Sequence, residues 1–216
     1  MLIGAGGFGR ETAALVTAIN EARTDRPRWD LLGFLDDDPA KWGVPLAGTR
    51  VLGGLHELAE LPDALVVVCT GHPGNFTSKR RIVERLALEP ERYATLVHPR
   101  AIVPSSCTLG VGTVLLAGVV ATTDVTFGSH VSVMPQAVFT HDDRIDDFVT
   151  VASGVCLAGA VHVEQGAYLG GGVLVREYCR IGPGALVGIG AVVTRDVPGG
   201  EVWAGVPARR LRAALS

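Results

Sequence analysis

From Val97 to Val193 every sixth residue is apolar. The run passes through Val103, Leu109, Leu115, Ala121, Phe127, Val133 and Phe139, and ends with Leu169, Val175, Ile181 and Val187. With 48% of the chain apolar, chance would give such a run in some register on the order of once in 10^5 tries, by template counting. A period of six matches neither a helix nor a flat strand. It fits a coil of hexapeptide repeats, in which each hexad forms one face of a triangular prism and every sixth side chain points inward. A second row, four residues after the first, is small or β-branched from Thr113 and Val119 to Ala185 and Ala191, and Asp143 interrupts it. Glycine often follows the inward residue, as at Gly110, Gly128, Gly170, Gly182 and Gly188. That predicts a sharp corner with positive φ at those glycines. No residue is inserted between hexads after Val103, so no long loop leaves the coil.

The first part of the chain follows a different pattern. Met1–Ile3 reads as a clipped strand, so a few native residues are expected to precede it. A helix follows over Glu11–Ala22, with Ala14, Leu15, Ala18 and Ile19 on one side. Strands are predicted at Leu31–Leu35, Ala64–Thr70 and Tyr93–Val97. A second helix, Asn75–Leu88, places Lys79, Arg80, Arg81 and Arg85 on its wet side. Alternating strands and helices imply a small parallel sheet. The division is therefore a Rossmann-like α/β domain over residues 1–97 and an all-β coil over residues 98–216.

Composition narrows the function. The chain has 216 residues, and its net charge of −3 comes from interspersed acids and bases, which argues against a nucleic-acid partner. There is no secretory signal, so the expected location is cytoplasmic. The uncharged stretch Ala101–Thr123 keeps the hexad register and contains proline and glycines, which excludes a membrane span. Cys107 and Cys179 occupy the small-residue row and read as core thiols. No CxxC pair is present.

Gly4, Gly6 and Gly9 form a G-x-G-x-x-G loop between strand and helix, a pattern that lets phosphate approach backbone N–H groups. The acid expected about 20 residues later in a dinucleotide fold is not in place, which argues against NAD. The Gly6, Gly7 and Phe8 loop, Asp36 with Asp37, and Gly71 all fall at strand ends, where parallel sheets bind ligands.

In the coil, His141 lies two residues after inward Phe139, at the end of a face, and so points outward. One turn away on either side, at about the 4.8 Å strand spacing, stand Thr123 and Gly159. Acyl transfer needs a base, an oxyanion donor and a donor channel. His141 is the candidate base. Gly159 leaves room beside it and a bare N–H, and Asp142 is positioned to orient the imidazole if the corner turns there. Near the C-terminus, Trp203 and Arg209, with Arg210 and Arg212, are candidates for stacking on adenine and pairing with phosphate. His98 reads as structural and His162 as a surface residue. His72 is a candidate acceptor contact, and His130 is placed on an outer face. The spacings of His130, His141 and His162 are not whole turns, so no metal site is expected.

Several motifs recur together in one known family: GAGGFGRE at Gly4–Glu11, GFLDDDP at Gly33–Pro39, the His98-Pro99 step, HDD at His141–Asp143, CLAGAV at Cys156–Val161 and GVPA at Gly205–Ala208. The chain resembles NeuD/PglD-type sugar O- or N-acetyltransferases over almost its whole length. The resemblance implies a left-handed parallel β-helix behind the Rossmann-like domain. It also implies a homotrimer with acetyl-CoA in the groove between neighbouring coils, and no metal cofactor. It assigns His141 as general base and Asp142 as its acidic partner. Gly6, Gly7, Phe8, Asp36, Asp37 and Gly71 become the binding positions for a nucleotide-linked sugar, and Gly159, Gly171 and Gly172 the backbone contacts to acetyl-CoA. Some relatives carry a second histidine where this chain has Thr150. The expected activity is acetylation of a sugar amino or hydroxyl group. The alternatives are a sialic-acid-type O-acetyltransferase, a non-catalytic partner of a sugar synthase, and a metal-dependent anhydrase.

Overall fold

The computed structural model describes residues 1–214. The N-terminal sheet is built on β1 (Leu2–Ile3), β2 (Phe34–Leu35) and β5 (Val67–Val68), which run parallel with β1 in the centre. A hairpin of β3 (Pro45–Leu46) and β4 (Thr49–Gly53) extends the sheet beyond β2, giving the order β3-β4-β2-β1-β5. The sequence reading did not foresee this hairpin, because strands of two and five residues around a turn carry too short a periodic signal. The helices are α1 (Gly7–Glu21) and α2 (Ser78–Leu86). α1 starts within the glycine loop, earlier than the periodicity indicated.

The rest of the chain is a left-handed parallel β-helix with three stacks of two-residue strands. The first face begins with Leu96–Val97 and Val114–Leu115 and continues through Ser132–Val133 and Thr150–Val151 to Leu186–Val187. The second carries Val120–Ala121, Val138–Phe139 and Cys156–Leu157. The third carries Thr126–Phe127, Arg144–Ile145 and His162–Val163. Residues one turn apart pair in register, Phe139 with Ala121 and with Leu157. A hairpin of Glu201–Ala204 and Arg209–Ala213 closes the first face.

Two rows point inward, the six-spaced row that the repeat implied and the small-residue row beside it. From Leu115 onward the six-spaced residues are buried, and so are their partners from Val119 to Ala191, Asp143 among them. The corner geometry differs from expectation. Positive φ falls three residues after the inward residue, at Gly112, Gly118 and Gly154 but also at Asp124, His130 and Asp142. The glycine right after the inward residue has another cause. A Cβ at Gly170 would lie 2.7 Å from Ile189 N and 2.9 Å from Val187 O, so the next coil leaves no room for one.

The N-terminal domain sits on the first face. Leu2, Leu15, Phe34 and Leu96 share a core with Val114 and Leu116 of the coil, and Met134 packs against them. Phe76 packs with Leu186 and Val202. Two expectations fail at this junction. Lys79, read as solvent-facing on α2, is buried, because the coil covers that side of the helix. Its Nζ donates to the carbonyl of His130 at 3.0 Å and to Ser132 Oγ. Burial pulls its pKa down to about 8, against the pull of Cys69. His130, placed on an outer face, is buried between Tyr93 and Phe148, with ring centroids at 4.6 and 5.2 Å. Burial, helped by Lys79, depresses its pKa to about 4, so it is neutral at physiological pH. All four cysteines are free. Cys179 is buried as expected, whereas Cys107 is only half-buried.

Candidate active site

His141 stands at the corner between the second and third faces, the corner opposite the face that carries the N-terminal domain. The chain turns there because Asp142 adopts φ +62, a left-handed conformation that a short polar residue tolerates. That turn brings two sequence neighbours to the same side. His141 Nδ1 lies 2.8 Å from Asp142 Oδ2. With Nδ1–H donated to the carboxylate, Nε2 keeps its lone pair. The imidazole lies over Gly159, where a Cβ would collide with Nε2 and Cε1. Ala160 N–H donates to the His141 carbonyl at 2.8 Å and fixes the two coils in register. The N–H of Gly159 has no partner among the described residues. A Gly159→Ala variant should therefore push the ring aside and lower turnover about 10- to 100-fold. The check is kcat measured beside an unchanged circular-dichroism spectrum, and wild-type kcat would contradict it.

Beneath this corner lies Asp143, which the sequence marked as a break in the small-residue row and as the last residue of HDD, without a role of its own. It is 1% exposed. Its Oδ2 accepts from Thr140 N–H and its Oδ1 from Val161 N–H, both at 2.9 Å. Burial pushes its carboxyl up from 3.8 to about 7, against those two bonds and His141, and Asp142 adds to the rise. A carboxyl raised on folding takes up protons between its two pKa values. Asp143 therefore erodes stability as pH climbs from 3.8 to about 7. In Asp143→Val the midpoint of unfolding should rise relative to wild type across that window and hold a constant difference above it. A difference independent of pH in calorimetric scans would refute this.

The second set of candidates surrounds the carboxyl ends of β1, β2 and β5. Gly4, with φ +102, passes so close to the next strand end that a Cβ would lie 2.9 Å from Cys69 O. Gly6 and Gly7 face open space, and Phe8 is half-buried behind them. Asp36 Oδ2 accepts from Ala5 N–H at 2.8 Å and pairs with Lys41 at 2.9 Å. Burial works against its charge, but these bonds hold its carboxyl below the usual range. Asp37 accepts from Leu55 N–H at 3.1 Å and pairs with Arg85. Both acids thus brace the walls of the crevice. Gly71, with φ +121, approaches Thr150 of the coil. His72 Nδ1 accepts from Gly74 N–H at 3.1 Å and shapes its own loop.

The structure does not gather the remaining candidates around His141. Gly171 and Gly172 lie at the corner between the first and second faces, one face away from Gly159. Trp203 was expected to stack on adenine. It is instead 6% exposed, packs into the base of the coil and donates Nε1–H to Glu201 at 2.8 Å. Its ring has no free face, because Arg195 also covers it at 5.2 Å. Arg209 is exposed on the closing hairpin. Among the described residues no group of three or more His, Cys, Asp or Glu is placed to hold a metal ion. Among them also, no helix is long and apolar enough to cross a membrane.

Comparison with known proteins adds to this geometry. Residues 1–86 match the PglD N-terminal domain. UDP-N-acetylbacillosamine N-acetyltransferase of Bacillus subtilis (strain 168) is 35% identical over 124 residues, 54% of this chain and 50% of that protein. The chain thus spans half the length of that curated relative. Among solved structures, the acetyltransferase domain of PglB from Neisseria gonorrhoeae FA1090 superposes with a TM-score of 0.85 at 29% identity, covering 97% of this chain and 98% of that one. A mutant of perosamine N-acetyltransferase from Caulobacter crescentus, in complex with CoA and GDP-perosamine, superposes with a TM-score of 0.83 at 26% identity, covering 97% and 95%. The PglD N-terminal domain match is thus confined to residues 1–86, while along nearly all its length the chain is similar in fold to the PglB acetyltransferase domain and to perosamine N-acetyltransferase.

Proposed function

We propose that the chain is a cytoplasmic, homotrimeric enzyme that transfers the acetyl group of acetyl-CoA to the amino group of a nucleotide-linked sugar. The observation that carries this reading is the imidazole held by Asp142 through Nδ1 with Nε2 over a bare glycine. The fit to acetyl-CoA rests on the side-chain-free backbone of Gly159 beside the imidazole and on its N–H, which has no partner among the described residues. When bound, acetyl-CoA supplies an activated thioester acyl group. As the acceptor nitrogen bonds to the thioester carbon, His141 Nε2 takes the proton that the amine loses and Asp142 stabilises the resulting imidazolium; the C–S bond then breaks and the imidazolium returns the proton to the leaving CoA sulfur, which departs as the thiol. The Gly159 N–H is available to the carbonyl oxygen as its negative charge grows. The crevice around Gly6, Gly7, Phe8, Asp36, Asp37 and Gly71 holds the nucleotide end of the acceptor.

The placement of the parts supports the trimer. One protomer keeps its crevice on the first face and its imidazole at the opposite corner. A ligand that reaches both, or that touches both Gly159 and Gly171 with Gly172, needs a neighbouring coil. The exposed apolar side chains Leu174, Tyr178 and Ile189 lie on these outward surfaces and suit such a contact.

The experiment is a CoA-release assay with acetyl-CoA and a panel of UDP-, GDP-, dTDP- and CMP-linked sugars, each with and without a free amine. Release only with amine acceptors supports the proposal. Release only with hydroxyl acceptors would establish O-acetylation instead, and no release with any acceptor would end the assignment. Sedimentation equilibrium tests the trimer, and a monomeric active enzyme would rule it out.

A further inference from the structure

The inward row from Val119 to Ala191 carries one carboxylate, Asp143, with Val125 and Val161 a turn away on either side. Placing a carboxylate among valines is costly unless its oxygens are bonded. Here both are. The bond to Thr140 N–H closes the chain tightly around His141, because Thr140 precedes the histidine directly. The bond to Val161 N–H fastens the same group to the next coil, two residues beyond Gly159. Asp143 therefore joins the loop bearing the imidazole to the coil bearing the glycine beneath it. Thr140 Oγ1, on the same loop, is buried without a partner among the described residues, so it adds no second side-chain anchor.

We propose that Asp143 is a positioning residue for the acetyl transfer: its buried carboxylate holds the peptide frame that aims His141 Nε2 over Gly159. This rests on His141 being the base. The clamp depends on charge. An ionised carboxylate makes charge-assisted bonds to both N–H groups, about twice as strong as neutral ones. A protonated one loses that charge assistance and carries a hydrogen on one of the two accepting oxygens, which weakens the bond there. The charged groups that act on Asp143 are His141 and Asp142, while its stacking neighbours Val125 and Val161 are uncharged. Burial places its titration at about 7, so the clamp tightens through the neutral range as pH rises.

The test compares Asp143→Val and Asp143→Asn with wild type and with His141→Ala. Valine matches the rest of the row and removes both bonds. Asparagine keeps the size but cannot accept twice without turning its own NH2 toward an N–H. Both variants should lose kcat about 10- to 100-fold with KM for both substrates within about twofold of wild type. The pH profile of kcat should lose one ionisation near neutrality, a change that a purely structural role would not produce. If valine prevents folding, the asparagine variant carries the same readouts. Wild-type kcat and an unaltered profile in the folded variants would overturn the proposal, as would a fall in thermal stability alone. Full activity in His141→Ala would instead remove the reading on which it rests.

Discussion

Replacing His141 with alanine should reduce kcat by about 10^2- to 10^4-fold, the usual worth of a positioned general base. The fold should not notice the change. The imidazole is 57% exposed and touches the coil only over Gly159, so little apolar area returns to water. Surface replacements of this kind stay within about 0.5 kcal/mol of the wild-type stability. CoA affinity, measured by calorimetry, should stay the same, because the contacts assigned to CoA lie on backbone groups. Undiminished turnover in a folded His141→Ala protein would show that another group takes the proton.

The largest stability effect should come two residues earlier. Phe139→Ala is expected to cost about 3–5 kcal/mol, within a total that for ordinary domains is about 5–15 kcal/mol. Phe139 is wholly buried, and its ring meets that of Phe127 edge-on at 4.8 Å and 77°. Such aromatic pairs add about 0.5–1.5 kcal/mol beyond the area they bury. One turn above Phe139 stands Ala121, too small to fill the hole, and on the other side Leu157 is already committed to its own layer. Each coil buries its apolar face only against its neighbours, so a void here weakens two interfaces at once. The corner that carries His141 should loosen as well, and kcat should fall further than occupancy of the folded state explains. The midpoint and slope of denaturant unfolding measure the first effect. A loss below about 1 kcal/mol would mean that the prism collapses onto the gap.

Some of this molecule was legible before any coordinates. Hexads fix which side chain points inward by position along the chain alone, so the coil, its six-spaced inward row and the outward placement of His141 follow from spacing. The strand-end placement of the glycine loop, Asp36 and Gly71 follows from the order of elements in the same way. Other features depend on what the chain meets from afar. Helical periodicity placed Lys79 in water, but a coil surface some fifty residues later along the chain covers it (from Lys79 to His130 and Ser132). Trp203 had the right chemistry for a nucleotide base, yet the open end of the prism takes it as a plug. Asp143 could be seen as an exception but not as a clamp, because its partners, Thr140 and Val161, are defined only once two coils stack.

By itself the sequence determined the repeat, its inward row and the resemblance to NeuD/PglD-type acetyltransferases, because a strict local period and short motifs need no distant partner to be read. The tertiary structure decided that Asp142 turns back onto His141, that a buried acid bonds both to their loop and to the next coil, and that the two sets of candidate residues lie on opposite sides of the chain. Those outcomes depend on φ at a single corner and on which face the N-terminal domain covers. Both are settled by packing between segments far apart in the chain, which no local pattern encodes.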